Sequence, residues 1–205
     1  HRMQAHAIGS PAFVLPPEAD SPLKTAYLEM SADKEREAVD GHDGTLVGHP
    51  GLVNPAMAEF NKSMPRAHQM YYQRPDHAEP KDLVERPEGA LSTDGLVGSI
   101  RTVLRAMVEH GDGEGTVIQG GRLHDRSSVR LSTLLLWQWT CSERCFITDT
   151  GLEVHADVMK YLVRKEGDKL FKGSAKEVRE RAKLAVERLT ETLMSAELPL
   201  DLFQG

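Results

Sequence analysis

Ten of the eleven prolines of this 205-residue chain lie in its first 90 residues. Each proline fixes φ and removes a backbone donor, which excludes long helices and the interior of a regular sheet wherever prolines recur this often. A stretch punctuated in this way buries little apolar surface against an ordering cost of about 1–2 kcal/mol per residue. The distribution therefore predicts two regions. Residues 1–90 read as an extended Pro- and His-rich arm with short helices, and residues 91–205 as a helical module. The fold class expected is mainly α: a small C-terminal helical bundle of three to four helices preceded by a long, largely irregular Pro-rich arm.

Within the arm, Ser21-Pro22 supplies an N-cap and a first-turn proline for a helix ending near Val39, before Asp40-Gly41. Asn54-Pro55 repeats the device ahead of a two-turn helix through Phe60. Val14-Leu15-Pro16-Pro17, Gly48-His49-Pro50-Gly51 and Gln73-Arg74-Pro75-Asp76 read as extended or turn segments. With 14 acidic against 9 basic side chains, the arm holds most of the net charge of −6.

The second half changes period. Leu96, Val97, Ile100, Val103, Leu104, Met107 and Val108 recur at helical spacing, and His110-Gly111 is a stop signal. A second periodic stretch runs from Leu152 to about Glu166. The third opens with Ser174-Ala175-Lys176-Glu177, which has capping-box form, and carries a stripe from Val178 to Ala196 before Pro199. Residues 129–147 satisfy two patterns. Val129, Leu131, Leu135, Trp137, Trp139 and Cys141 alternate as a strand would, while consecutive Leu134, Leu135 and Leu136 suit a buried helix. Length and helical neighbours favour the helix, capped by Ser127 or Ser128.

Acidity argues against a nucleic-acid-coating role, where a basic stripe is needed. No run reaches the ~20 apolar residues of a membrane span; the best candidate, Leu131–Ile147, is broken by Gln138, Ser142, Glu143 and Arg144. Two cysteines do not make a secreted disulfide framework and fit a reducing compartment. The chain opens on His1, which is compatible with a cleaved organellar presequence or with a truncated or renumbered start.

Four constellations carry chemistry-bearing side chains. Cys141 and Cys145 stand four apart and would share a metal if His124 or His155 completed the set, but no second close pair exists and core packing is the simpler reading. The glycines of the 110–115 segment follow a helix end, whereas a phosphate cradle needs them before a helix start. His124-Asp125-Arg126 joins an acid–base pair to an anion partner, yet adjacent residues point different ways, so a surface turn or helix entry is the expectation. The histidines of the first half show no ligand spacing. No catalytic, cofactor-binding or metal-binding residue is assigned, and no cofactor.

Recognition-type residues cluster at Tyr71-Tyr72-Gln73-Arg74-Pro75, Tyr and Arg being the side chains that most often anchor interfaces. The tail Pro199–Phe203 resembles the short sliding-clamp-binding peptide of bacterial replication and repair proteins, with Pro199 where that peptide has glutamine. The resemblance implies that Leu202 and Phe203 fill a hydrophobic pocket. The expected partner-binding set is Tyr71, Tyr72, Arg74, Leu200, Leu202 and Phe203. Together these features predict a non-catalytic accessory or structural subunit of a large multiprotein assembly, concretely a mitochondrial respiratory-chain or ATP-synthase complex. Its partners would be other protein subunits, with no nucleic acid and no transmembrane segment, peripheral to a membrane complex. The compartment expected is mitochondrial, otherwise cytoplasmic. The alternatives are a bacterial or phage clamp-binding accessory protein, and a small enzyme or metal-binding protein using His124, Asp125 or the cysteines.

Overall fold

A computed structural model describes residues 1–16, 24–74, 78–85, 89–111 and 115–197, with backbone only for 24–26. Among these residues the elements run α1 (Lys24–Val39), α2 (Val53–Ser63), α3 (Pro80–Val84), α4 (Thr93–His110), β1 (Val117–Gln119), β2 (Arg122–His124), α5 (Arg126–Cys141), α6 (Ala156–Leu170) and α7 (Lys176–Met194). A 3-10 turn, Pro50–Leu52, leads into α2. The chain is mainly helical, and β1 and β2 make a two-stranded sheet. It divides into two compact units: His1–Pro87 with Gly121–Leu123, and Glu88–Gly120 with His124–Gly205.

The first unit is not the coreless arm that the prolines suggest. Two extended segments, around Ala7–Val14 and Asp43–Gly48, lie side by side in parallel, bridged at Ile8–Gly44 and Ala12–Val47. Backbone bonds tie the two: Asp43 N–H to Ala7 (2.7 Å), Gly9 N–H to Gly44 (2.9 Å), Ala12 N–H to Leu46 (3.0 Å) and Gly48 N–H to Ala12 (2.7 Å). Parallel strands need a long crossover, and α1 supplies it, giving a β-α-β unit that α2 follows. Pro11, Pro16 and Pro50 fall where they cost nothing. Pro11 lies between the donors Gly9 and Ala12, so its missing N–H removes no rung, and Pro16 and Pro50 follow the strand ends. Ala12, Val14, Met30 and Leu52 form the buried cluster, with Tyr27 and Val47 against it. Beneath the first strand Lys34, fully buried, donates to the Ser10 carbonyl (2.6 Å), Glu37 (2.9 Å) and Asp33 (3.1 Å). Gly9 has no side chain because one would strike the Glu37 carboxyl, 2.1 Å from a Cβ there.

In the second unit α4 is the central element, packed against α5, α6 and α7. Leu96, Ile100, Val103, Leu104 and Val108 on α4 meet Val129 and Leu136 on α5, Met159 and Val163 on α6, and Leu189 and Leu193 on α7. Its N-terminus is capped by Ser92, whose hydroxyl accepts from Gly95 N–H (3.1 Å), and it ends at Gly111 with φ +64°. Arg101 on α4 holds the buried Glu166 of α6 through both Nε (2.8 Å) and Nη2 (2.6 Å). The ambiguous 129–147 stretch resolves as helix through Cys141. Asp125 caps it, not Ser127 or Ser128, because its carboxylate lies three residues ahead of the Ser128 N–H. The capping box expected at Ser174–Glu177 is not made; Ala175 stands at the N-cap of α7 without a side-chain bond.

Candidate functional site

In α/β folds, ligands gather beyond the carboxyl ends of parallel strands. In the first unit these ends are Val14-Leu15 and Gly48-His49. His49 turns back on itself, its Nδ1 accepting from Gly51 N–H (3.0 Å), and so opens the 3-10 turn before α2. The tip residues Gly121–Leu123 belong to this unit. Leu15 N–H donates to Gly121 (2.9 Å), Leu123 N–H to Phe13 (2.6 Å), and Arg122 pairs with Glu29. They extend the strand end in antiparallel sense through a Val14–Arg122 bridge.

At the amino ends, Asp43 collects donors. Its Oδ2 takes His1 Nε2 (3.0 Å), His6 Nδ1 (2.9 Å) and Ala7 N–H (3.1 Å), and its Oδ1 takes Gln69 N–H (2.5 Å). Burial pushes this carboxyl up, but the four donors outweigh it and hold it far below its ordinary value. His1 also bonds the Tyr72 carbonyl through Nδ1 (2.7 Å), so both ring nitrogens face acceptors and its pKa is raised. With its lone pairs occupied, Asp43 has little capacity left for chemistry. It is a clamp.

Asp125, in the second unit, is placed differently. Half-buried at the N-cap of α5, it accepts Ser128 N–H (2.8 Å) and Ser128 Oγ–H (2.9 Å), both on Oδ1. The Ser128 N–H and hydroxyl hold its pKa down despite partial burial, so it is ionised and oriented at neutral pH. An ionised carboxylate is a proton acceptor, and the bonds that lower its pKa weaken it as a base while they fix its orientation. Its cap role is the simpler use of the same geometry, and one substitution separates the two.

The structure disperses the other expected site residues. Tyr71 is 57% exposed beneath the Arg66 guanidinium, 5.3 Å from its ring centroid. Tyr72, 40% exposed, lays its ring against Gly41, where a Cβ would meet Cδ1 at 2.4 Å. Arg74 pairs with Asp40 at 2.9 Å. Leu200, Leu202 and Phe203 lie outside the described residues. Cys141 is exposed and Cys145 partly buried, its thiol pushed up by burial. Among the described residues no group of three or more His, Cys, Asp or Glu side chains is placed to hold a metal. Sequence reasoning passed over the two parallel strands, although Ala12-Phe13-Val14-Leu15 and Thr45-Leu46-Val47 are short apolar runs bounded by Gly and Pro. It also missed the turn at Gly120-Gly121, a two-residue Gly-Gly signal.

Within a mainly helical chain, the first unit thus carries two paired parallel segments with their crossover helix, and the second packs four helices with β1 among them. The comparisons with known proteins divide at the same place. A family model described as the malate synthase TIM barrel domain matches residues 1–85, and one described as malate synthase, C-terminal, matches residues 90–202. The chain belongs to the malate synthase family. It is 31% identical over 208 residues to a bifunctional glyoxylate cycle protein of Caenorhabditis elegans, covering 99% of this chain and 21% of that protein. To malate synthase of Myxococcus xanthus it is 30% identical over 197 residues, 93% of this chain and 36% of that one. Malate synthase A of Escherichia coli matches at 30% over 142 residues, 68% and 27%. The chain spans roughly a fifth to a third of the length of these relatives.

These matches overturn the accessory-subunit and respiratory-chain reading, because the family is one of enzymes. The non-enzyme expectation falls with it. So does the clamp-binding alternative: the C-terminal family model runs through residue 202, across Leu200 and Leu202, and accounts for most of that tail. The error has a physical source. Short parallel strands with prolines at their ends have the composition of a linker, and the apolar pairing that distinguishes them is nonlocal.

Proposed function

We propose that this chain is part of a malate synthase, an enzyme that condenses acetyl-CoA with glyoxylate. The observation that carries the reading is the order of the matches: barrel-domain model, then C-terminal model, end to end along residues 1–202. The first unit is read as two of the eight βα units of such a barrel, and helices α4–α7 as the helical module of the C-terminal model. Names of plant relatives place those proteins in the glyoxysome, which supports an organelle of that kind or the cytoplasm as the compartment here. No described helix is long and apolar enough to cross a membrane. Tyr71 is the member of the aromatic pair proposed to face a partner, since Tyr72 and Arg74 are engaged within their own unit.

The condensation requires a base that removes a proton from the acetyl methyl group, so that the carbon attacks the glyoxylate aldehyde and water then releases CoA. We assign the proton removal to Asp125, the ionised and oriented carboxylate at the start of α5. The test is Asp125→Asn in the protein as the cell makes it, following CoA thiol release from acetyl-CoA and glyoxylate. Asn caps a helix as well as Asp, so the melting temperature stays within a degree or two. A missing general base costs about 10²–10⁴-fold in kcat. Unchanged turnover in Asp125→Asn removes Asp125 from the chemistry, and absence of thiol release in the unaltered protein overturns the functional reading itself.

A further inference from the structure

The start of α5 holds more than a helix cap requires. Capping needs one side-chain acceptor on a first-turn N–H, and Asp125 meets it with the Ser128 N–H at 2.8 Å. The Asp125 carbonyl meanwhile takes the Val129 N–H at 3.0 Å and opens the helical ladder. Both donors are backbone groups and ask nothing of the side chain at position 128. The Ser128 hydroxyl is surplus to them, yet it donates to the same Oδ1 at 2.9 Å. Farther along α5, Ser132 and Thr133 donate to the carbonyls of Ser128 (2.9 Å) and Val129 (3.0 Å), the usual use of a hydroxyl within a helix. Ser128 has no helical carbonyl four residues back and spends its proton on the carboxylate. A carboxylate held by one N–H rocks in a broad χ2 well. Two donors on one oxygen, from one half-buried residue, hold it in place.

We propose that Ser128 is a positioning residue for the condensation, its hydroxyl fixing the orientation in which the Asp125 carboxylate takes the acetyl methyl proton. The inference rests on the reading of Asp125 as the base. In that step the proton passes to the carboxylate and the C–H electron pair stays on the acetyl carbon. The carboxylate loses its charge, so a hydrogen bond donated to it weakens as the proton arrives. On charge alone the hydroxyl therefore slows proton removal, and deleting it would speed turnover. On orientation it does the opposite, since a misplacement of about 1 Å costs about 10²-fold. The two effects have opposite signs, so the direction of change in kcat decides between them. A hydroxyl that only stabilises the helix changes the melting temperature and leaves kcat alone.

Ser128→Ala and Ser128→Thr are made in the protein as the cell makes it, Ser128→Ala also together with Asp125→Asn. CoA thiol release is followed from acetyl-CoA and glyoxylate. Ser128→Ala lowers kcat by about 10- to 100-fold and leaves both KM values unchanged. Deuterium in the acetyl methyl group slows this variant more than the unaltered protein, because proton removal has become slow relative to the later steps. Ser128→Thr keeps the hydroxyl and restores both kcat and the isotope effect. In the Asp125→Asn background Ser128→Ala changes nothing further, since no base is left to orient. Alanine keeps the backbone cap and favours helix, and thermal melting followed by circular dichroism confirms that each variant is folded. A kcat unchanged or raised in Ser128→Ala, or an equal loss with and without Asp125, overturns the proposal. If Asp125→Asn loses turnover in the same series, that result strikes Ser128 alone and leaves the base assignment standing. If Asp125→Asn keeps full turnover, the base and its positioning residue fall together.

Discussion

The two units bury their interiors by different means. The second packs aliphatic side chains from α5, α6 and α7 around α4, and a largely buried ion pair, Arg101 with Glu166, joins α4 to α6. The first has a small apolar cluster of Ala12, Val14, Met30 and Leu52, and sets polar groups beneath its strands instead. Lys34 and Glu37 lie under the first strand and Asp43 at the start of the second, all three side chains at most 7% exposed. The contrast teaches where each unit is vulnerable. Apolar packing degrades by increments as atoms are removed, whereas a buried charge left without its partner has no graded alternative.

Lys34→Ala is the strongest attempt to break this contrast. It takes the counter-charge from Glu37, whose Oε1 keeps the Ser10 N–H (3.0 Å) and whose Oε2 already lacks a partner, and removes the bond to the Ser10 carbonyl. Removing one member of a buried pair costs about 3–5 kcal/mol, and the loss appears in the first unit as accelerated exchange of the Gly9 and Ala12 amides. Lys34→Met with Glu37→Leu recovers most of it, because an apolar pair of similar volume needs no counter-charge. The matching change in the second unit, Leu104→Ala, costs about 2–5 kcal/mol through its cavity and speeds exchange across α4. If Lys34→Ala proves milder than Leu104→Ala, polar burial is not what holds the first unit.

Legibility in the sequence followed the same divide. The helical period at Leu96–Val108 is local, and α4, α6 and α7 were readable within a few residues because each helix carries its own record of which face is buried. The strands of the first unit bury their faces against α1 and against each other across more than thirty residues, as Ile8 does with Gly44. No window of fifteen residues contains that pairing. Asp125 was visible as a chemical possibility in His124-Asp125-Arg126, but its cap geometry depends on where α5 starts, two or three residues ahead of the expected caps Ser127 and Ser128. Asp43 gave no signal, since its donors come from His1, His6, Ala7 and Gln69, at both ends of the unit.

Acidity sharpens the comparison at a smaller scale. Asp43 has a depressed folded pKa, so its contribution is present above its ordinary value of 3.8 and is lost as pH falls below it. His1 behaves oppositely. Its folded pKa is raised, chiefly by the Tyr72 carbonyl and also by Asp43, so its contribution is complete below 6.5 and is lost as pH rises through the raised value. The first unit is therefore most stable between these limits. Asp43→Asn costs about 1–3 kcal/mol and flattens both arms, because it removes the acid-titrating group and one acceptor of His1. Chemical denaturation at pH 3.5, 5.5 and 8 measures the profile; a variant that keeps both arms excludes Asp43 as their source.

The finest distinction lies in two glycines with left-handed backbone. Gly41 has φ +97° in the first unit and Gly111 φ +64° at the end of α4. An alanine at either position meets a conformational cost of about 1–2 kcal/mol. Nothing lies within 4 Å of a Cβ at Gly111, so Gly111→Ala shows the conformational cost alone. At Gly41 a Cβ would stand 2.4 Å from Cδ1 and 2.9 Å from Cε1 of Tyr72. Gly41→Ala therefore adds a displaced aromatic ring, and the ring's own backbone carbonyl is the acceptor of His1. The difference between the two variants isolates the packing of Tyr72 on Gly41. It should vanish in a Tyr72→Ala background, where the ring is gone and only the backbone cost remains. A difference that persists there assigns the cost of Gly41→Ala to backbone geometry and removes Tyr72 from the clamp around Asp43.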